Sequence, residues 1–405
     1  MTNSPANILT INFGGIGDEV LFLPTLEGIR ASYPDAKITL LEEPRSAGIG
    51  VITDLIDEVV TFDIKKRPLY AQDLMELLTI LRAGSYDMVV SSGSSPMVSG
   101  LLFLSGIPRR IGYNSNRLAR YLLTEPMPLN RYQYAGKMYH DLIVDFPGAQ
   151  SALPAIPRIK AGAEEQESME SLLSKLWRQL SHPPDHSESS KFDGGDRLRV
   201  LIHPGTSRLA IQKGLNKTWS AENWCKLAEL LGKEPGVDVI LAGGPDDKEA
   251  IEQIRALLKP DSQVISTYGH TRNLRELVGL IDICDLIVCV DSAPMHLAVA
   301  LGKPVVALFG PTNEAILLPS GVDKFVALRK ETLRQATHGV SPTGAETSDM
   351  ATKSLEPTAS QLRQASFLFP GAPAVQLPVE TVAQSALDQL KRVGHRDGSP
   401  AIHAG

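Results

Sequence analysis

A glycine-rich turn near the start of the chain is followed directly by an acidic residue. The segment INFGGIGDEVLFLP (11–24) places Gly14, Gly15 and Gly17 between an apolar run and Asp18. Glycines in such a turn are typical of phosphate-binding loops that precede a helix. Because the carboxylate of Asp18 would repel a phosphate, two interpretations are open: it caps the helix amino terminus, or it acts as a general base.

The same glycines partly match the dinucleotide-binding pattern GxGxxG. Gly15 and Gly17 fit its first two glycines, but Val20 occupies the third position, where a small residue lets helix and strand approach. An acidic residue, Glu42 or Glu43, ends the next predicted strand, as a ribose-binding carboxylate would. A nucleotide-dependent oxidoreductase is therefore an alternative. A P-loop is excluded, since no Gly-Lys-Ser/Thr follows the glycines.

Two later segments carry groups that could bind an anion. HPGTSR (203–208) ends a predicted strand and offers backbone N–H groups and the hydroxyls of Thr206 and Ser207. Lys217 lies just before a predicted helix start, where a cation is unfavourable unless an anion binds nearby. Each segment also fits an ordinary solvated turn.

The segment VDSAPMHLA (290–298) is the most informative. Asp291 ends a predicted buried strand, and His296 lies in the first turn of the following helix. The tight turn between them consists of Ser292, Ala293 and Pro294. Free N–H groups at a helix amino terminus bind anions, and Ser292 and His296 can add side-chain donors. The pattern favours a diphosphate site.

Bulk composition narrows the function further. A length of 405 residues predicts two or three domains. The net charge of −6 gives no support to nucleic-acid binding, which needs a basic surplus. The sequence contains no Asp-x-Asp motif, and its three cysteines lack metal-ligand spacing, so we expect no metal site. Without a secretory signal or a long apolar stretch, a cytoplasmic location is expected.

Strand and helix patterns alternate along the chain in two blocks, 1–155 and 156–330. This alternation predicts an α/β fold with two Rossmann-like, doubly wound domains facing across a cleft. A flexible polar loop is predicted at about 180–196, within the second block. Residues 331–375 lose the periodicity and predict an irregular insertion, which is followed by one last helix at 376–395.

Four segments resemble family 9 glycosyltransferases, the ADP-heptose:lipopolysaccharide heptosyltransferases and their relatives. They are NILTINFGGIGDEVLFLPTLEGIRASYPDAKITLL, HPGTS with NKTWSAENW, ILAGGPDDKE, and DSAPMHLAVALGKPVVALFGPTN. The resemblance covers roughly residues 7–150 and 198–330, plus the final helix. It implies the GT-B fold, with the acceptor on the amino-terminal domain and the sugar nucleotide on the carboxy-terminal one. It also implies that the last helix packs back on the amino-terminal domain.

The resemblance assigns roles to the matching residues. The catalytic base falls on Asp18. The donor-binding residues that it implies are Thr206, Ser207, Lys217, Gly244, Asp291, Ser292, Ala293, Pro294 and His296. On the acceptor side it implies Gly14, Gly15, Gly17 and His140.

The reaction implied by this resemblance is an inverting, metal-independent transfer of a heptose or related sugar. The donor would be a nucleotide diphosphate sugar, ADP-heptose by resemblance, with no obligatory cofactor. The acceptor would be a lipopolysaccharide-type or other glycan or glycolipid. The oxidoreductase and a non-catalytic sugar-nucleotide-binding protein stay open as alternatives.

Basic residues gather in the amino-terminal half of the chain. They are KKR at 65–67, Arg109, Arg110, Arg117, Arg120 and Arg131. A solvated surface explains them, and so does a patch that faces an anionic, lipid-linked acceptor. The second interpretation predicts peripheral contact with the inner face of the plasma membrane.

Overall fold

The computed structural model describes residues 5–64, 70–180, 197–212, 214–330 and 375–397. Within these ranges, the strands form two parallel six-stranded sheets. No helix in the described ranges is both long and apolar enough to cross a membrane.

The first sheet is built entirely from residues before the predicted boundary at 155. Its strands are β1 (Asn7–Ile11), β2 (Lys37–Glu42), β3 (Glu58–Thr61), β4 (Met88–Ser91), β5 (Arg109–Tyr113) and β6 (Glu125–Met127). They lie in the order β3-β2-β1-β4-β5-β6, and every neighbouring pair is parallel. The helices of this first lobe are α1 (Ile16–Ser32), α2 (Ala71–Ala83), α3 (Pro96–Ser105), α4 (Arg117–Leu122) and α5 (Ala135–His140).

The second sheet repeats this topology further along the chain. Its strands are β7 (Leu198–His203), β8 (Val237–Leu241), β9 (Val264–Ser266), β10 (Leu286–Val290), β11 (Val305–Leu308) and β12 (Phe325–Leu328). The order β12-β11-β10-β7-β8-β9 again places the first and fourth strands of the unit side by side. The helices of this second lobe are α6 (Ala163–Arg178), α7 (Arg208–Gln212), α8 (Ala221–Gly232), α9 (Lys248–Leu257), α10 (Leu274–Asp282), α11 (Ala293–Ala300), α12 (Glu314–Leu317) and α13 (Val379–Asp397).

The central strands are buried along their whole length because helices cover both faces of each sheet. Their polar exceptions are Ser91 in β4 and Asp238 in β8, whose carboxylate pairs with Arg197. All residues of β4, β8, β10 and β11 are buried. This is the pattern of a parallel sheet, and it explains why these strands read as continuous hydrophobic runs rather than as alternating ones. The prediction of two doubly wound α/β units is confirmed.

Each sheet has one point where the strand order reverses, between β1 and β4 in the first and between β7 and β10 in the second. In doubly wound sheets, ligands bind beyond the carboxyl ends of the strands at this point. The glycine-rich turn follows β1, HPGTSR begins at the end of β7, and the turn after Asp291 follows β10. The topology therefore places the predicted site segments at the two switch points.

The last helix does not pack where the resemblance implied. Its buried residues Val382, Ala386 and Leu390 recur every four positions and join the hydrophobic core around Trp224. Helix α13 lies against α8 and strands β10 and β11, all in the second lobe. The prediction that it packs on the amino-terminal domain is wrong. Its apolar stripe instead covers a face of the second sheet that would otherwise be open to water.

Three predictions fall on residues outside the described ranges. The loop at 180–196 lies there except for residue 180, and the insertion at 331–375 lies there except for residue 375. The basic run at 65–67 also lies outside.

Candidate active site

The two lobes meet at the amino-terminal turns of α1 and α11. These helices pack against each other, and Gly17 lies directly against the ring of His296. A Cβ added to Gly17 would come within 2.7 Å of His296 Cδ2, closer than carbon atoms approach without a shift. The turn after β1 and the turn after β10 therefore form one site, although 279 positions of the sequence separate Gly17 from His296.

Asp18 is held in place through both of its carboxylate oxygens. Oδ2 accepts a hydrogen bond from the backbone N–H of Gly15 at 2.9 Å, which caps α1. Oδ1 accepts one from the hydroxyl of Tyr139 at 3.3 Å. Asn12 supports the same turn, because its Nδ2 donates to the backbone oxygen of Asp18 at 3.2 Å. The helix-cap interpretation is thus correct for one oxygen, while the other points to a tyrosine of α5.

The glycines before Asp18 leave room for side chains. A Cβ on Gly14 would lie 2.1 Å from Cβ of Asp18. Any residue larger than glycine at position 14 would therefore displace the Asp18 side chain from its position over the turn. Gly17 leaves the corresponding space for His296, whereas a Cβ on Gly15 would meet nothing within 4 Å. Two of the three glycines therefore permit close approaches that assemble the site.

Buried acidic groups lie next to Asp18. Glu19 is 1% exposed, and burial raises its pKa well above the usual range, with the charges of Glu42 and Asp18 raising it further. Burial also raises the pKa of Glu42 to about 8, and neither of its side-chain oxygens has a hydrogen-bond partner within the described part of the chain. The raised pKa keeps Glu42 mostly protonated at neutral pH, and the pKa shift of Glu19 favours its protonated form in the same way. Burial and the charge of Asp18 raise the pKa of Tyr139, which keeps its hydroxyl a donor.

Lys217 and Asp291 form an ion pair in the second lobe. Lys217 Nζ donates to Asp291 Oδ2 at 2.7 Å, and Asp291 is 2% exposed. The pair joins the segment before α8 to the end of β10. A buried carboxylate repels a diphosphate, so Asp291 acts on the site by fixing the ammonium group of Lys217.

His296 lies beside this ion pair and is buried. Its Nε2 is 4.0 Å from Asp291 Oδ1. Burial lowers the pKa of His296, although the nearby carboxylates of Asp291 and Asp18 oppose that shift. The imidazole is therefore neutral at pH 7 and offers one N–H to a ligand.

The amino terminus of α11 carries no side-chain cap. Ser292 occupies the N-cap position, but its side chain makes no capping hydrogen bond to the first turn, and its hydroxyl donates to the carbonyl of Val290 at 3.3 Å. Ala293 and Pro294 follow in the first turn. The positive end of this helix is thus left for an anionic ligand.

The loops after β7 and β8 contact each other beyond the carboxyl ends of these two strands. Asp247 Oδ2 accepts from the N–H of Gly244 at 2.7 Å and lies 3.6 Å from Nε2 of buried His203. A Cβ on Gly205 would collide with Asp247 at 1.7 Å. Thr206 is buried beside this contact.

Ser207 is exposed and its hydroxyl is already engaged. It accepts a hydrogen bond from the N–H of Ala210 at 3.2 Å, at the start of α7. A role toward a diphosphate would therefore require the hydroxyl to serve two partners.

His140 does not join the site. It is 1% exposed, its Nε2 lies 2.8 Å from the carbonyl of Ala149, and it packs beside Gly28, roughly three turns beyond Asp18 along α1. Burial lowers its pKa, so it is a neutral core histidine. The prediction that it lines the cleft is wrong. Its neighbour Tyr139 reaches Asp18 instead, because successive residues of a helix point about 100° apart. Sequence reasoning missed Tyr139 and Asn12.

The acidic residues that favoured an oxidoreductase are not available to a ribose. Glu42 and Glu43 are both 0% exposed, and Glu43 pairs with Arg45. A ribose-binding carboxylate has to face the ligand, so the geometry does not support the dinucleotide alternative.

A second cleft, of about 900 Å³, lies between the lobes and away from the site around Asp18 and His296. Residues 156–162, which connect the two lobes, form part of its wall. Its walls include residues 51–55 and 299–302, and none of the predicted site residues lines it. In the described residues, no group of three or more His, Cys, Asp or Glu side chains is arranged to hold a metal ion.

Comparison with known proteins identifies what the chain resembles. The model of "Glycosyltransferase family 9 (heptosyltransferase)" matches residues 74–339. Among curated relatives, lipopolysaccharide heptosyltransferase 2 of Escherichia coli is 28% identical over 311 residues, which cover 76% of this chain and 83% of the relative. Lipopolysaccharide heptosyltransferase 3 of E. coli is 24% identical over 75% of this chain and 83% of its own length.

Solved structures show the same architecture. A glycosyl transferase family 9 protein from Veillonella parvula aligns with a TM-score of 0.67 at 19% identity, over 96% of this chain and 97% of the other. ADP-heptose lipopolysaccharide heptosyltransferase II of E. coli aligns with a TM-score of 0.63 at 21% identity, over 97% of this chain and 100% of the other. The predicted GT-B fold, with two Rossmann-like domains, is confirmed.

The contact between Gly17 and His296 predicts that Gly17→Ala separates the two halves of the site. Because the added Cβ has to displace a buried ring, we expect turnover to fall by about 10²-fold, the loss that a misplacement of roughly 1 Å can cause. Gly100→Ala, within α3, is the matched control, since its Cβ also enters open space. Steady-state kinetics of both variants test this, and equal activities would show that the close approach is unimportant.

The buried carboxyl of Glu42 predicts that stability falls as the pH rises. The folded protein binds this proton more tightly than the unfolded chain, where the pKa is near 4.5, so ionisation between about pH 4.5 and 8 opposes folding. The contribution reaches about 1.4 kcal/mol per pH unit. Urea unfolding of Glu42→Gln should show a shallower pH dependence than the wild type. Glu76→Gln, at an exposed site, should keep the wild-type slope, and an unchanged slope for Glu42→Gln would contradict the interpretation.

Proposed function

The chain belongs to glycosyltransferase family 9, the heptosyltransferase family, and on that basis we propose that it transfers a heptose or related sugar from ADP-heptose to a lipopolysaccharide-type acceptor. It is an enzyme of the glycosyltransferase class. The proposal of heptose and of a lipopolysaccharide acceptor is supported by the relatives, which are named lipopolysaccharide or lipooligosaccharide heptosyltransferases. ADP as the carrier is supported by an E. coli heptosyltransferase structure with ADP-2-deoxy-2-fluoro heptose, at 19% identity and a TM-score of 0.55.

One observation carries the mechanism. The charge of Asp18 in the first lobe acts on His296 of the second lobe, and His296 lies in the first turn of α11 beside the Lys217–Asp291 pair. The first side suits a base for an acceptor hydroxyl, and the second suits a diphosphate. A sugar held between them has its anomeric carbon in reach of both.

Asp18 acts as the general base in this proposal. Each carboxylate oxygen can accept more than one hydrogen bond, so Oδ1 can bind the acceptor hydroxyl while Tyr139 still donates to it. The acceptor oxygen attacks the anomeric carbon from the face opposite the diphosphate as its proton passes to Asp18, which inverts the configuration. The bonds to Gly15 and Tyr139 fix the carboxylate for that transfer.

The second lobe stabilises the leaving group. When the bond between the anomeric carbon and the diphosphate oxygen breaks, the electron pair stays on the diphosphate. Lys217, oriented by Asp291, supplies positive charge there, and His296 supplies a neutral N–H donor. The amides at the start of α11 add the helix dipole. These groups provide the stabilisation that a metal ion gives in other transferases, so we propose a metal-independent reaction without an obligatory cofactor.

The remaining predicted residues take supporting places in this scheme. We assign Thr206, Ser207 and Gly244 to the donor side because they lie in the loops after β7 and β8, next to the switch point of the second sheet. Because the proposed acceptor is a glycan on a lipid, the enzyme works in peripheral contact with the inner face of the plasma membrane. The predicted domain roles follow: acceptor on the first lobe, donor on the second.

Asp18→Asn tests the base directly. An asparagine can still accept the Gly15 N–H through its amide oxygen, so the helix cap survives while the base is lost. We expect donor affinity close to wild type and turnover lower by about 10²- to 10⁴-fold. Calorimetric titration with ADP-heptose and a rate assay for ADP release measure the two quantities. Asp35→Asn, at an exposed position after α1, is the control. Turnover near wild type in Asp18→Asn would leave Asp18 only the role of a cap.

Chelation tests the absence of a required metal. With Lys217, His296 and the α11 amino terminus as the stabilising groups, turnover in excess EDTA should equal that in Mg²⁺. The same assay run with ADP-, GDP- and UDP-sugars tests the donor base. A loss of activity in EDTA that added Mg²⁺ restores would refute metal independence while leaving the base assignment intact.

A further inference from the structure

Helices α3 and α4 present large apolar side chains to solvent. The two helices pack against each other on the outside of the first lobe. Tyr121 is 80% exposed, Leu104 55% and Phe103 50%, whereas the interior of the same helices is formed by residues such as Leu102 and Ala119. The exposed apolar residues of this α3–α4 face are Met97, Phe103, Leu104, Leu118 and Tyr121. Exposed apolar side chains grouped on two packed helices are typical of an interaction site.

The same part of the chain is strongly cationic, in a protein with a net charge of −6. Residues 88–124 contain four arginines and no aspartate or glutamate. Two of these arginines are used within the fold: Arg109 pairs with Glu125 at 2.5 Å, and Arg110 donates to the carbonyls of Ile107 and Leu122. The other two, Arg117 and Arg120, lie exposed on α4 beside Leu118 and Tyr121.

The amino-terminal ends of α3 and α4 lie at the sheet edge that carries Asp18, whereas Phe103 and Leu104 lie at the far end of α3. Helix α3 follows β4, the neighbour of β1 in the sheet, so both strands end at the same edge as Asp18. Ser92, in the loop between β4 and α3, donates to Asn12 at 2.6 Å, and Asn12 in turn supports the Asp18 turn. The loop before α4 is tied to the same region, because the Ser115 hydroxyl donates to the carbonyl of Ser94 at 2.5 Å.

We propose that the α3–α4 face docks on the surface of an anionic lipid bilayer. Aromatic and aliphatic side chains on short surface helices enter the interfacial region, while neighbouring arginines bind lipid phosphates. Tyr121 has the amphipathic ring that favours this depth. A second copy of the chain fits less well, since two such faces brought together would juxtapose four arginines without an acidic partner.

The α3–α4 face is the part of the enzyme that would contact the membrane in the proposed function, so this inference rests on that function. Docked through α3 and α4, the first lobe lies with the outer side of these two helices on the bilayer. A glycan carried on a lipid would extend from the membrane surface, past the amino-terminal ends of α3 and α4, to Asp18.

The test measures binding of the full chain to vesicles of phosphatidylcholine, with and without phosphatidylglycerol, by co-sedimentation. Wild type should bind the anionic vesicles, and binding should weaken as ionic strength rises. The double variant Arg117→Gln with Arg120→Gln should lose roughly 10- to 30-fold in partitioning, as expected for two arginines near an anionic surface. The double variant Leu104→Ser with Tyr121→Ser should lose binding at every ionic strength.

Helix α9 of the second lobe supplies matched controls. Leu257 is 46% exposed, close to the 47% of Leu118, and Arg255 is exposed on the same helix. Leu257→Ser and Arg255→Gln should bind vesicles as wild type does. Equal binding by the α3–α4 variants and these controls would overturn the proposal, and so would wild-type binding that does not distinguish anionic from neutral vesicles.

Two further measurements separate this proposal from the reaction itself. The α3–α4 variants should keep wild-type turnover on a water-soluble acceptor fragment, and Asp18→Asn should keep wild-type vesicle binding. A catalytic failure with intact vesicle binding would refute the proposed function alone. If sedimentation velocity shows that the α3–α4 variants dissociate a dimer, and wild type does not bind vesicles, the face is a protein interface and the membrane proposal fails.

Discussion

The site depends on the packing of two helix amino termini against each other, α1 from one lobe and α11 from the other. Both ends carry the positive part of a helix dipole, so their approach is unfavourable unless negative charge lies between them. Asp18 supplies that charge for α1 by capping its first turn. Helix α11 has no such cap, and a donor diphosphate would complete it. The amino terminus of α11 and a diphosphate bound there would therefore stabilise each other electrostatically.

Burial limits the number of charges at this junction. Glu19, Glu42 and His296 are all buried, and each has its pKa shifted in the direction that keeps it neutral. The charges that stay are carried by Asp18 and by the Lys217–Asp291 pair. In the proposed reaction, Asp18 is the carboxylate of the first lobe that acts as the base. In the same proposal, Lys217 is partly shielded by Asp291, so that it can attract a diphosphate and still release it after transfer.

The two lobes repeat one topology but use it for opposite purposes. The first strand of each unit leads into a loop at the switch point, yet only the loop of the first lobe carries a carboxylate in its helix turn. In the second lobe the carboxylate at the switch point, Asp291, follows the fourth strand and is neutralised by Lys217. The sign of the local charge therefore matches the proposed division into an acceptor lobe and a donor lobe.

The sequence by itself determined the local features: two units of alternating strands and helices, and the loops at their carboxyl ends that hold Asp18, Lys217 and His296. Those features follow from hydrophobic periodicity and glycine placement within short windows. Only the tertiary structure decided which remote groups meet. Tyr139 rather than His140 reaches Asp18 across 121 positions, Lys217 pairs with Asp291 across 74, and α13 covers the second sheet. The physical reason is that such contacts depend on how whole elements rotate and pack, and no local pattern encodes that.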